Sequence, residues 1–387
     1  MNIPTEYAAG FAEARKHDPQ MAETYLRFIT EGDPLADAAL ASLKPGEEKI
    51  WIQKGIEEGG AALAEAPEPM RALFAEIERV PDWYDPEATR AGSHAFHANL
   101  ELLLGAFVGA VLVEGFATMI SKSFAITGRV TDTGVSRMHQ NNRHLVEIFM
   151  MGGLDRQAEG WKLSVRIRMI HARVRQMLNR SEEWDKAAWG VPLSASHIAF
   201  AASAFSGQLL MRGKQLGLQM TQEEVDSFMH TWRYSGHLMG VPAEMQAVTA
   251  EDAQRIVRIG RMCEPPPHME AILVANGLIN SAALVAGITD PGKRRKLAQY
   301  VYRVSRALLG DEMADQLNFP KLSTFGVLPF FRLRARTDRL MRKWIPGQEG
   351  RRRAGQYSHM LGMSYDDKGP ISYRLPAKLH AETERPD

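Results

Sequence analysis

Residues 165–175 read VRIRMIHARVR, four arginines around a single histidine in a run that is otherwise Val, Ile, Met and Ala. On a helix, positions three and four apart share a face, so Arg168, His171 and Arg175 form one stripe with Ile167, Val174 and Leu178 beside it. The stripe is apolar enough to pack inward, and a buried guanidinium needs an anionic partner because an unpaired buried charge is costly. The segment itself contains no carboxylate, so the partners must come from elsewhere in the fold or from a ligand. A haem would answer every feature of the stripe: its iron takes a neutral imidazole, its macrocycle is apolar, and its two propionates are anions that arginines pair with in bidentate fashion. Acidic neighbours for the arginines and a backbone carbonyl for the imidazole would answer them too. The stripe alone does not choose.

A second polar cluster lies in GRVTDTGVSRMHQNNRHLVEIF (128–149), where Arg137, Gln140 and Asn141 fall on one helical face at spacings of three and four, with His139, Asn142, Arg143 and His144 close by. Following an apolar helix, such a cluster can line a pocket, or it can be an exposed helix start. Other chemistries find no motif. His94 and His97 make at most a two-ligand pair without the Glu-x-x-His partners of a di-iron site, and His230 and His237 are a heptad apart. H-E-x-x-H, a phosphate-binding glycine loop and Gly-x-Ser-x-Gly are all missing.

The elements that must position these groups read as helices. DPLADAALASL (33–43) opens on an Asp33–Pro34 start signal, and TQEEVDSFMHTWRYSGHLMGV (221–241) opens on Thr221 and Glu224 at capping-box spacing. Proline-rich breaks at 81–87 and 264–270, and a further one across 179–194 ending near Pro192, separate helical runs. Alternating strand patterns are scarce. The expectation is an all-α fold, one multi-helix domain over residues 1–345, followed by an irregular or partly disordered tail over 346–387.

Composition narrows the class further. Lys and Arg number 47 against 46 Asp and Glu, so nothing draws the chain toward nucleic acid or anionic lipid. The one cysteine, Cys263, excludes an intramolecular disulfide framework, a Cys-x-x-Cys-His haem attachment and a cysteine-ligated iron–sulfur cluster. LLLGAFVGAVLVEGFATMI (102–120) approaches membrane-spanning length, but Glu114 interrupts it, which favours a buried core helix over a transmembrane span. The N-terminus lacks a basic stretch followed by an apolar one, and the expected location is cytoplasmic.

R168-x-x-H171-x-x-x-R175 resembles the haem helix of the latex-clearing proteins, bacterial rubber oxygenases, and of their wider relatives, including the fungal oxygenase that cleaves the farnesyl chain in mycophenolic acid synthesis. GDPLADAAL (32–40), VPDWYD (80–85), WGVPLS (189–194), TWRYSGHLMGV (231–241) and LLGDEMADQLNFP (308–320) are similar to further landmarks of that family, in the same order. The resemblance implies an all-α fold with a globin-like core around a non-covalent b-type haem. His171 would be the proximal ligand to the haem iron. Arg168 and Arg175 would be the flanking arginines, and Arg137 the pocket arginine 34 positions upstream.

It also implies a haem-dependent oxidoreductase, an oxygenase of the dioxygenase kind in the cleaving relatives. Its partners would be O2, a small hydrophobic isoprenoid or lipid-like substrate, and an electron donor. Three positions depart from the rubber-cleaving pattern. The family's distal lysine and adjacent threonine match Gln140 and Asn141, and its base glutamate falls on Ser121, with Glu114 two turns away. Gln140 and Asn141 become the candidate donors to bound oxygen. Oxidative C=C cleavage, allylic oxidation, dehydrogenation and peroxidase-like turnover all stay open. The alternatives are a haem-binding redox or gas-sensing protein without turnover, and a haem-free helical lipid-binding protein.

Overall fold

Local signals set the helix ends. The Asp33 carboxylate caps the helix Pro34–Ala41 by accepting from the Ala36 backbone N–H at 3.1 Å. In Gln222–Leu238 the capping box closes both ways: Glu224 N–H donates to Thr221 Oγ1 at 3.2 Å, and Thr221 N–H donates to Glu224 Oε2 at 2.7 Å. The proline breaks fall where expected, between Glu68–Glu78 and Arg90–Ala98, and between Ala250–Cys263 and Met269–Val285.

The computed structural model describes residues 3–127, 133–344, 365–366 and 369–370, with side chains over 3–127 and 139–341. These residues form an all-α fold around one main apolar core, with a smaller cluster about Val113, Ile279, Tyr302 and Phe319. Apart from a two-residue antiparallel pairing of Tyr365–Asp366 with Gly369–Pro370, the expected tail lies outside the described residues.

The arginine-rich stretch lies in the long helix Glu159–Asn179, here called the histidine helix. It is surrounded by Pro34–Ala41, Glu47–Glu58, Ile120–Ile126, Thr133–Ile148 and Gln222–Leu238. The apolar run at 102–120 is interior, as expected for a core helix. Leu100–Phe116 carries a π-helical turn at Phe107–Val111, and a second π turn at Ala204–Gln208 packs against it through Phe107 and Phe205, edge to face at 5.0 Å. Among the described residues no single helix is long and apolar enough to cross a membrane. Leu100–Phe116 is set off by an 83° bend from the helical segment Glu87–Ala98 before it, and only the two together reach that length.

The segment around 80–85 serves as a strap. Trp83 lies under the Arg233 guanidinium, 3.8 Å from its ring centre, and Tyr84 stacks on Tyr234 at 3.6 Å. These contacts hold the strap on Gln222–Leu238, which also packs against the histidine helix.

Candidate active site

The stripe of the histidine helix splits into two faces. Ile167 and His171, four apart, open into a cavity with about 660 Å³ between its walls, open solvent at its mouth included. Phe116, Ile120, Phe124, Ile198, Phe205 and Met239 supply apolar walls. The polar groups among the described lining residues are His171, Asn141, His144 and the Trp232 indole. No carboxylate or thiolate is among them, and no cluster of three or more His, Cys, Asp or Glu among the described residues is arranged to hold a metal ion. This donor set does not suit a bare divalent cation, which wants several anionic or imidazole ligands. It does suit a flat apolar group anchored by one imidazole.

Arg168 and Arg175 turn to the neighbouring face, and neither lines the cavity. Arg168 donates to Asp33 through Nε at 2.6 Å and Nη2 at 3.1 Å, and to Glu76 through Nη1 at 3.0 Å. Arg175 bonds Asp37 through Nε at 2.8 Å and the Leu193 carbonyl through Nη1 at 2.7 Å. Both side chains are almost fully buried. The anionic partners that the sequence left open are therefore supplied by the fold.

The spacing explains the landmark GDPLAD. Asp33 and Asp37, one turn apart on a helix crossing the histidine helix, meet guanidiniums two turns apart. Two glycines close over the pairs. A Cβ at Gly240 would lie 2.4 Å from Asp33 Oδ2, and one at Gly32 would lie 2.7 Å from both Arg175 Nε and Asp37 Oδ2. Burial by itself would push the Asp33 carboxyl up, but the Arg168 guanidinium outweighs it and holds the group below the usual carboxylate range.

The helix Thr133–Ile148 brings Asn141 and His144 to the wall, one turn apart. Gln140 is half-buried and does not line the cavity. Arg137 belongs to the same helix, but its side chain lies outside the described residues. Ser121 is buried and donates to the Thr118 carbonyl at 2.9 Å, away from the cavity. Glu114 sits on the far side of its helix, facing a second cavity. Gln208 donates to it at 3.0 Å, and Arg212 and Arg261 both pair with it. Burial opposes its ionisation, and the two arginines reverse that and keep it an anion. Neither Ser121 nor Glu114 is among the described residues lining the cavity.

His144 is the side chain that spacing undersold. It stood in a crowded polar stretch with nothing to separate it from His139. Burial pushes its imidazole down to about 3, so it is neutral at ordinary pH.

A family model described as ER-bound oxygenase mpaB/B'/Rubber oxygenase, catalytic domain, matches residues 94–340. The chain belongs to this oxygenase family. A rubber oxygenase of Streptomyces sp. (strain K30) is 24% identical over 302 residues, spanning 75% of this chain and 70% of that protein. The solved structure of a latex clearing protein in the closed state superposes with a TM-score of 0.66 at 19% identity, covering 89% of this chain and 92% of that one. At that identity the likeness speaks for the all-α fold, which the two share. The matched region contains the histidine helix, Asn141, His144 and Trp232, while Asp33, Asp37 and Glu76 precede it.

Proposed function

We propose that this chain is a haem-dependent oxygenase acting with O2 on a small apolar, isoprenoid- or lipid-like substrate, with His171 as the protein ligand of a non-covalent b-type haem iron. A globin-like arrangement of helices around that group belongs to the same proposal. The observation that carries the reading is the cavity: the His171 imidazole on a largely apolar wall, on a helix whose two buried arginines are held by carboxylates. Membership of an oxygenase family supports the oxygen chemistry, and the rubber oxygenase relative supports an apolar, alkene-bearing substrate.

Haem, when bound, supplies the redox chemistry by which O2 reacts with a hydrocarbon chain. The protein residues do the rest. Asp33 and Asp37 hold Arg168 and Arg175, which fix the rotation of the histidine helix and so the direction of the His171 ring, as outer-shell partners orient metal ligands generally. Arg168 and Arg175 would act on the cofactor through this positioning. Phe116, Phe124, Phe205 and Ile198 bind the apolar substrate by burial and exclude water. Asn141 carries the amide donor on the cavity wall, with Gln140 and Arg137 on the same helix as further catalytic candidates. Without a carboxylate base at the wall, proton transfer from a substrate carbon has no described acceptor of the glutamate kind. Oxygenation without base-assisted cleavage is the outcome this favours.

Purified protein supplied with haem tests the reading. A Soret band is expected in the wild type and is lost in His171→Ala with helical circular dichroism unchanged. Wild type without a Soret band would end the haem assignment. Oxygen uptake with a panel of isoprenoids then separates an oxygenase from a carrier or sensor.

A further inference from the structure

The cavity holds a second imidazole with an assignable tautomer. His144 Nε2 lies 3.0 Å from Ser164 Oγ and 3.4 Å from Ser235 Oγ. Ser164 donates its hydroxyl proton to the Gly160 carbonyl at 2.8 Å, so toward the imidazole its oxygen can only accept. Ser235, 3.0 Å from Ser164 Oγ, supplies the other hydrogen that oxygen accepts. The arrangement that satisfies all of these contacts puts the proton of His144 on Nε2 and leaves Nδ1 as a bare lone pair. Nδ1 has no hydrogen-bond partner among the described residues, on a side chain 5% exposed that lines the cavity. On a cavity-lining side chain, that lone pair can accept a hydrogen bond from a donor that a bound molecule brings.

We propose that His144 is a specificity-determining residue whose Nδ1 accepts a hydrogen bond from the hydroxyl of an apolar alcohol bound in the cavity, so that the preferred substrate is a hydroxyl-bearing isoprenoid rather than a pure hydrocarbon. This rests on the proposed function for the substrate's apolar part. The hydroxyl preference is carried by the Ser164–His144–Ser235 geometry alone. The imidazole cannot switch to a cation that would repel or re-order the hydroxyl, because burial holds its pKa at about 3. Trp232, edge-on to the His144 ring at 5.9 Å, fixes the ring plane from the other side.

The test is a calorimetric titration of the purified protein, haem-loaded where it takes up haem, with geraniol and with the matching hydrocarbon 2,6-dimethylocta-2,6-diene. Wild type is expected to bind the alcohol about tenfold more tightly, the size of one well-made neutral hydrogen bond. In His144→Phe the preference should fall below about threefold, with hydrocarbon affinity retained. Should His144→Phe fail to fold, His144→Leu serves instead: it likewise removes the ring nitrogen, and the alcohol preference should again collapse.

Equal affinities in the wild type, or a preference that survives both substitutions, would overturn the proposal. So would a low-spin bis-imidazole haem spectrum that disappears in His144→Phe, since Nδ1 would then be an iron ligand. A missing Soret band with the alcohol preference intact would sink the haem reading and leave this one standing.

Discussion

Asp33→Asn is the most informative single change, because it removes a charge without removing a shape. Asn keeps the capping oxygen that the Ala36 N–H needs, so the helix start survives. What it takes away is the bidentate partner of Arg168, whose side chain is only 4% exposed. Glu76, 24% exposed, stays in contact through one nitrogen and offsets part of the loss. Breaking a buried pair by removing one member costs about 3–5 kcal/mol, and the remaining Glu76 contact brings the expectation toward the lower end. With roughly 2.1 cal/mol/K of unfolding entropy per residue, a domain of ~340 residues melts about 6 °C lower for each 4 kcal/mol lost.

Arg168→Met should cost as much or more, by leaving the buried Asp33 carboxylate without its paired guanidinium. The double variant should be less destabilised than the sum of the singles by about 2 kcal/mol or more, because most of each penalty comes from the partner left behind. The assay is thermal unfolding followed by circular dichroism, with a haem titration on the same samples. Singles within about 1 °C of wild type, or strict additivity, would refute a structural pair. Normal melting with weakened haem affinity in Asp33→Asn would instead show that Arg168 serves an anion of the cofactor.

Acid should destabilise the protein through His144. Its pKa in the fold is about 3 against ~6.5 in an unfolded chain, so between those values the unfolded state binds the extra proton. Stability is therefore full above about pH 6.5 and falls as pH drops toward 3, by up to about 5 kcal/mol. Chemical unfolding of His144→Phe between pH 7 and pH 4 should show a shallower decline, and coincident slopes would count against it. Gly240→Ala combines a backbone at φ +82° with a Cβ 2.4 Å from Asp33 Oδ2, so a loss of about 2–4 kcal/mol is expected in the same melt. Glu114→Gln leaves Arg212 and Arg261 facing a neutral amide and should lower the melting temperature by several degrees while haem uptake is unchanged, since Glu114 does not line the cavity. Abolished haem uptake in a well-folded variant would contradict that placement.

Much of this was legible in the chain. Capping residues placed the starts of Pro34–Ala41 and Gln222–Leu238, and prolines placed breaks between helices, because those signals act within a few residues of each other. The stripe Arg168–His171–Arg175 was also legible, since one helix turn fixes which side chains are neighbours. Its partners were not. Nothing in GDPLAD says that Asp33 and Asp37 meet arginines more than 130 positions later, where they pair with Arg168 and Arg175.

The wall of the cavity was equally closed to sequence reading. Gln140 and Asn141 are adjacent and chemically alike, yet only Asn141 reaches the space in front of His171, because consecutive residues on a helix point about 100° apart. His144 gained its role from Ser164 and Ser235, on two other helices, whose hydroxyls dictate where its proton sits. Sequence determined which groups stand on one face of one helix, a matter of local geometry. Which of those faces meets a carboxylate, and which meets the largely apolar cavity, depended on how distant helices cross, and only the tertiary structure decided it.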